Sequence, residues 1–394
     1  MKRLIAAAAA AFSLVSTLAA QGANFAQARS DHYAVWAETG QARAEELAKV
    51  LESLYTLFEE DMRFDSKRLA GRLTVRVFRD KAGFDAHLTQ IVGQTNSDFV
   101  YLHYPTLERS ELLVFEKENP AFSASLAHQA YKQYLKAFIP NPPLWILEGF
   151  PVYYERAAWD KTAGAVVFRE NTAWLETLKA LQNSGKLLGI EALLSTSPER
   201  SESARDVFYP QSWAFVSFLL DGREPRYARF LWDSLALLSP AASLEENQRA
   251  VSELFRRWHD SKTAQEDFLA WLGSRKTFAE LVEEGVRLYG EKNLKKSAAA
   301  FAEALAKNEG NCIPYYFLGL ISYAGNDFDM ADYYYKTALQ LGCDPATTNF
   351  ALGLTAFAVN RLEDAKAYLA KAKSAAPDRY AARVDEILGR MVTP

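Results

Sequence analysis

His128, Lys132 and Glu148 are the side chains whose types and spacing bear most directly on chemistry. Residues four apart share one face of a helix, so two histidines at that spacing reach a single zinc ion. A glutamate directly after the first histidine can then take a proton from the metal-bound water. Here the first position is His128, but the second is Lys132, and Gln129 stands where the base belongs. An ammonium group has three donors and no lone pair, so it repels a divalent cation; a neutral amide has no useful basicity. His128 and Glu148 remain, two of the three protein ligands that a catalytic zinc site needs. No metal is therefore expected, with His128 and Glu148 the only ligands if one binds. The electrostatic alternative is that Lys132 takes the metal's place and pairs its charge with Glu148. Taken alone, His128 also reads as a histidine satisfied at the edge of a core, and Glu148 as a surface or helix-capping carboxylate.

The remaining histidines, His32, His87, His103 and His259, are scattered and form no HxH or HxxxH pair. There is no CxxC, glycine-rich phosphate loop, GxSxG elbow or paired-carboxylate motif. Tyr333, Tyr334 and Tyr335 are consecutive, and three neighbours on a helix cannot all face inward, so one or two must line a surface. They are a candidate binding face, although tyrosine is also common in repeat cores.

The elements that must position these groups follow from periodicity. Segments 32–37 and 71–78 are rich in β-branched and aromatic residues and flank 41–62, where apolar residues recur at helical spacing: strand, helix, strand. A helix over 82–91 and strands near 99–103 and 111–115 complete a small α/β part. Asn119 and Pro120 supply an N-cap and an N1 proline for a helix over 121–138, which the prolines at 140, 142 and 143 end. A second helix runs from Leu144 through Trp159, with a kink predicted at Pro151, and 164–169 suits a strand. Helices follow near 172–182, 211–220, 225–238, 244–259 and 263–272. The last third repeats with a shift of 34: Gly285, Gly319 and Gly353 fall in one column, and Phe301, Tyr335 and Leu369 in another. Small residues in one column let two helices approach closely while large ones fill the gaps between hairpins.

The text around His128 and the run Pro143-Leu-Trp145-Ile-Leu-Glu148-Gly149-Phe resemble the peptidase MA-like gluzincins, whose third zinc ligand is a glutamate in a Trp-x-x-Glu-Gly context. The resemblance covers roughly residues 30–240 and extends to Tyr209-Pro-Gln-Ser-Trp213. It implies that Tyr209 is the relic of a residue that steadies the tetrahedral intermediate, against a plain reading of Tyr209 as core packing. The last third resembles the tetratricopeptide repeat, three copies followed by a capping helix over 378–391. The expected fold is α+β: a gluzincin-like domain with an α/β subdomain (29–118) and a helical subdomain (119–275), then an all-α repeat array (276–394).

Lys2 and Arg3 precede an uncharged, alanine-rich run to Ala20, the pattern of a secretory signal, so 1–28 is expected to be a leader cleaved somewhere from 20 to 28. Periplasmic or extracellular export follows, with no stable membrane span after cleavage. The compartment permits one bridge between Cys312 and Cys343, provided their Cα atoms lie within about 7 Å. The 394 residues carry a formal net charge of −4, which leaves no basic field for nucleic acid. Together these features predict an exported, non-catalytic pseudopeptidase, with no cofactor, that binds a protein or peptide partner through the repeats or through a relic groove between the sheet edge and the His128 helix. The alternatives are an active zinc metallopeptidase with an unusual ligand set, and a front domain that is only scaffold for the repeats.

Overall fold

The computed structural model describes residues 25–93, 98–221 and 223–392. The polypeptide divides into two compact units between Gly273 and Ser274, and its fold is mixed α+β.

The first unit begins with β1 (Ala26–Arg29), β2 (Tyr33–Ala37), α1 (Gln41–Met62), β3 (Leu73–Phe78), α2 (Lys81–Val92), β4 (Val100–Leu102) and β5 (Glu111–Phe115). Sheet order is β1-β2-β3-β5-β4; the two central pairings are parallel and the two outer ones antiparallel. The register aligns Val35 with Val75 and Val75 with Leu112, all three fully buried. Alternation puts Thr74 and Arg76 on the opposite face, where Arg76 Nε donates to Glu111 at 3.1 Å. Then come α3 (Ala121–Phe138), α4 (Leu144–Tyr154), the hairpin β6 (Ala158–Asp160) and β7 (Ala165–Val167), α5 (Leu175–Asn183), α6 (Ile190–Leu194), α7 (Pro198–Ser203), α8 (Arg205–Leu220), α9 (Pro225–Leu237), α10 (Leu244–Trp258) and α11 (Ser261–Ser274). One apolar core runs through this unit from Ala28 to Leu272. At its centre α1 meets α3, with ring centroids of Phe58 and Tyr131 5.3 Å apart and those of Tyr55 and Tyr134 5.1 Å apart.

Several sequence expectations are revised. The leader expected over 1–28 lies outside the described residues up to position 24, but its last part is folded. Ala28 is buried and pairs with Val35, and the Phe25 ring packs edge-on against Phe78 at 5.6 Å. Cleavage at 26–28 would remove β1, so a leader that spares the sheet ends before Phe25. The helix expected through Trp159 stops at Tyr154, and Ala158 and Trp159 belong to β6. Pro151 sits inside α4, where it offers no N–H to the carbonyl of Leu147. Pro120 occupies the N-cap position of α3, one place later than expected. Helix α8 starts at Arg205 and runs through Pro210, so Tyr209 is inside it. No described helix is long and apolar enough to cross a membrane.

The second unit is a run of helical hairpins: α12 (Phe278–Gly290) with α13 (Leu294–Lys307), α14 (Cys312–Ala324) with α15 (Phe328–Gln340), and α16 (Pro345–Ala358) with α17 (Leu362–Ala375), followed by α18 (Pro377–Val392). Gly285, Gly319 and Gly353 face Phe301, Tyr335 and Leu369, and a Cβ on any of them would lie 2.5 to 2.7 Å from the opposing side chain. Each hairpin turns at a non-glycine residue with positive φ, namely Lys292, Asn326 and Asn360, again 34 apart. A disulfide joins Cys312 to Cys343, with Cα atoms 5.5 Å apart, and ties the start of α14 to the segment just after α15.

Candidate functional site

Helix α3 buries Phe122, Leu126, Ala130, Tyr131, Tyr134 and Phe138, which leaves His128, Gln129 and Lys132 half-buried on another side. Helix α4 brings Glu148, which is only 8% exposed. Its position depends on Gly149, because a Cβ there would stand 2.5 Å from the Ser212 carbonyl oxygen of α8. A carboxylate withdrawn from water needs a counter-charge. Lys132 supplies it, donating from Nζ to Glu148 Oε2 at 2.7 Å.

His128 takes a different partner. Its Nδ1 lies 2.8 Å from Glu155 Oε1, and Asn171 Nδ2 donates to the other Glu155 oxygen at 2.7 Å. A carboxylate oxygen accepts, so this bond places a proton on Nδ1. Two cross-links thus join α3 to the α4 segment: Lys132 to Glu148, both named from sequence, and His128 to Glu155. Glu155 and Asn171 were not singled out from sequence. For Glu155 a signal existed, since seven residues after Glu148 is two turns along the same face.

Gln129 lines a cleft of about 530 Å³ together with His128, Glu155, Ser125 and Lys117, and with Asp98 and Phe99 just ahead of β4. Lys117 holds one wall: its Nζ donates to Asp98 at 2.7 Å and stands 4.6 Å from the centre of the Phe99 ring. Among the described residues β4 pairs only with β5, at the end of the sheet, and Asp98 and Phe99 just ahead of it line this cleft. Tyr209 is half-buried and donates to Glu202 at 3.2 Å; burial, then the charges of Glu148 and Glu202, raise its phenol above the ordinary value. Glu148 and Tyr209 therefore sit within electrostatic reach of each other.

The tyrosines of α15 separate. Tyr333 is 56% exposed and Tyr334 half-buried, whereas Tyr335 is buried against Gly319, so the expected three-residue face contains at most two.

Zinc does not fit this arrangement. The Nδ1-to-carboxylate bond of His128 is the orientation found in metal-ligating histidines, but the Lys132 ammonium occupies an oxygen of Glu148. Among the described residues no three His, Cys, Asp or Glu side chains form a group that could hold a metal ion. No family model matches this protein, and no curated protein matches it in sequence.

Proposed function

We propose that this protein is an exported, non-catalytic relative of the peptidase MA-like gluzincins, joined to three tetratricopeptide repeats and a capping helix, and that it binds a protein or peptide segment instead of hydrolysing it. The observation that carries this reading is the 2.7 Å bond from Lys132 to Glu148. It puts a fixed positive charge on the carboxylate that the resemblance makes a zinc ligand, and beside it Gln129 offers no base. Two further features support it. Strand β4 ends the sheet, with Asp98 and Phe99 just ahead of it lining the cleft, which suits an extended segment added as a further strand and needs no metal. The helical hairpins, with their 34-residue recurrence of close contacts, suit a repeat array.

Metal analysis of the mature protein, purified without chelators or a metal-capturing tag, tests the reading. The expected result is no stoichiometric zinc and no chelator-sensitive hydrolysis of peptides. One zinc per molecule together with such hydrolysis would overturn it in favour of an active metallopeptidase with an unusual ligand set.

A further inference from the structure

Helix α15 carries a stripe that the other two hairpins lack. Its inward column, Ala331, Tyr335 and Ala338, is buried, with Tyr335 against Gly319 of α14. On another side Met330, Tyr334, Thr337 and Leu341 follow one another at intervals of four, three and four, the spacing of a seam between packed helices, and Tyr333 lies beside them. Met330, Tyr333 and Leu341 are exposed and Tyr334 is half-buried. The 34-residue recurrence supplies an internal comparison. Where the second hairpin has Met330, Tyr333 and Leu341, the first has Lys296, Ala299 and Lys307, and the third has Asp364, Ala367 and Ala375. In the Tyr334 column the third hairpin has Tyr368, which packs against the buried cluster that contains Tyr335 and Leu352. Packing of the array therefore needs no large apolar side chain at the three exposed positions, and a contiguous apolar patch of this kind marks a contact surface.

The patch is braced from both ends. The Tyr333 and Tyr334 ring centroids are 5.4 Å apart, and Tyr315 of α14 stands 6.4 Å from Tyr334. Cys343, two residues after Leu341, is bonded to Cys312 at the start of α14. From Met330 to Leu341 the helix advances about 16 Å, three turns. The charges around it are one-sided. Asp327 and Asp329 lie at the Met330 end, exposed and in no ion pair among the described residues. Asp327 accepts from the Met330 N–H at 3.2 Å, which caps the helix and leaves its charge unbalanced. Lys336, the one cation of α15, pairs with Asp332 at 2.7 Å. Asp344, beyond the Leu341 end, stands 3.6 Å from Arg379.

We infer that this side of α15 docks an amphipathic helix of a partner protein, one whose apolar stripe packs on Met330, Tyr333, Tyr334 and Leu341 and whose lysine or arginine residues lie over Asp327 and Asp329. The backbone N–H and C=O groups of α15 are used within the helix, so an extended segment would gain no main-chain bonds there. A helix brings its own backbone already satisfied and has only to bury its apolar side. The two unpaired acids select a basic flank over an acidic one. This surface is separate from the cleft beside His128, and the inference stands or falls independently of zinc and of what the cleft binds.

The test uses the full mature protein and fluorescence anisotropy with alanine-based helical peptides of about eighteen residues, each carrying an uncharged dye. The first has leucine at the four-three-four spacing and lysine at both ends. The second has glutamate in place of lysine, and the third keeps the lysines but has its leucines scrambled. The first is expected to bind at least tenfold tighter than either of the others. Exchanging the patch for its counterpart in the first hairpin, Met330→Lys with Tyr333→Ala and Leu341→Lys, should weaken binding at least tenfold with unchanged far-UV circular dichroism. The milder Tyr333→Ala alone should weaken it at least threefold. Asp327→Asn with Asp329→Asn, which keeps a capping side chain, should reduce the preference for lysine over glutamate to less than twofold. Equal binding of the first and third peptides, full binding by both patch variants, or an undiminished lysine preference in the asparagine pair overturns the inference. So does self-association in sedimentation velocity that the triple variant abolishes, which assigns the face to a second copy of this chain. Absence of binding by all three peptides also overturns it, and the metal analysis then decides the non-catalytic reading on its own.

Discussion

Lys132 and Glu148, on successive helices, meet at 2.7 Å with only 11% of the glutamate side chain exposed. Such a pair adds little net stability relative to apolar residues of the same shape, because both charges were taken out of water. Its removal by halves is another matter.

Lys132→Ala should leave Glu148 buried without a counter-charge and destabilise the protein by about 3 kcal/mol. For a unit of this size that corresponds to a fall of roughly 6 °C or more in the unfolding midpoint. The double variant Lys132→Met with Glu148→Leu should recover most of the loss. Thermal unfolding of Lys132→Met, Glu148→Leu and the double variant measures the coupling, and a fully stable Lys132→Ala would show that the pair is not structural.

Lys132→His should bring measurable zinc affinity, because His128, the introduced imidazole and Glu148 then supply three ligands. His128 already donates from Nδ1 to Glu155 at 2.8 Å and has Nε2 to offer. Gln129→Glu alone should gain neither metal nor activity, since a base without a bound water has nothing to deprotonate. Only the combination has both parts of the chemistry. Zinc titration calorimetry checks this, and a folded Lys132→His that ignores zinc would remove the relation between this site and a metal centre.

Gly149→Ala should be among the most damaging small substitutions in the first unit. Its Cβ would stand 2.5 Å from the Ser212 carbonyl oxygen and 2.9 Å from a Val216 methyl, so α4 and α8 must separate. The expected loss is about 2 kcal/mol or more. By contrast, Gly273→Ala in α11 meets nothing within 4 Å and should be neutral or stabilising. Urea unfolding of the two variants side by side decides it.

Asp61, at the end of α1, accepts a hydrogen bond from the Tyr154 hydroxyl. Burial, the largest influence, raises its carboxyl above the ordinary 3.8; Glu60 adds to this, and Tyr154 and Arg63 oppose it. The native state therefore holds this proton more tightly than the unfolded state does. The destabilisation from ionising Asp61 is absent below about pH 3.8 and grows as pH rises through the native value. Asp61→Asn keeps an acceptor and removes the charge, so its stability relative to the unmodified protein should increase from pH 4 to pH 7. A constant difference across that range would show that the carboxyl is not shifted.

Much of the architecture was legible because local pattern and packing agree. The helix expected over 41–62 is α1, whose apolar spacing leaves one face to bury, and the strand expected over 111–115 is β5, a continuous apolar run buried on both faces of the sheet. Strand β1, Ala-Gln-Ala-Arg, has too little apolar signal of its own and exists because β2 offers it a partner. The apolar run after Leu144 suits helix and strand equally beyond Tyr154. The hairpin in which β6 lies is fixed by distant contacts, including the Val166 N–H donating to Ser53 at 2.9 Å.

The sequence by itself determined the chemical content of the site: an imidazole, an ammonium, a carboxylate and a neutral amide at helical spacing, with too few ligands for zinc. Only the tertiary structure decided how they pair. Helical spacing places side chains on a common face but does not choose partners on another element, and that choice depends on how closely the elements approach. Gly149 seats α4 against α8, and the resulting position of α4 gives Glu148 to Lys132 and Glu155 to His128. The same limit applied to the tyrosines of α15: three consecutive residues cannot all be buried, but which one goes inward was set by Gly319 on the facing helix, which left room for Tyr335 alone.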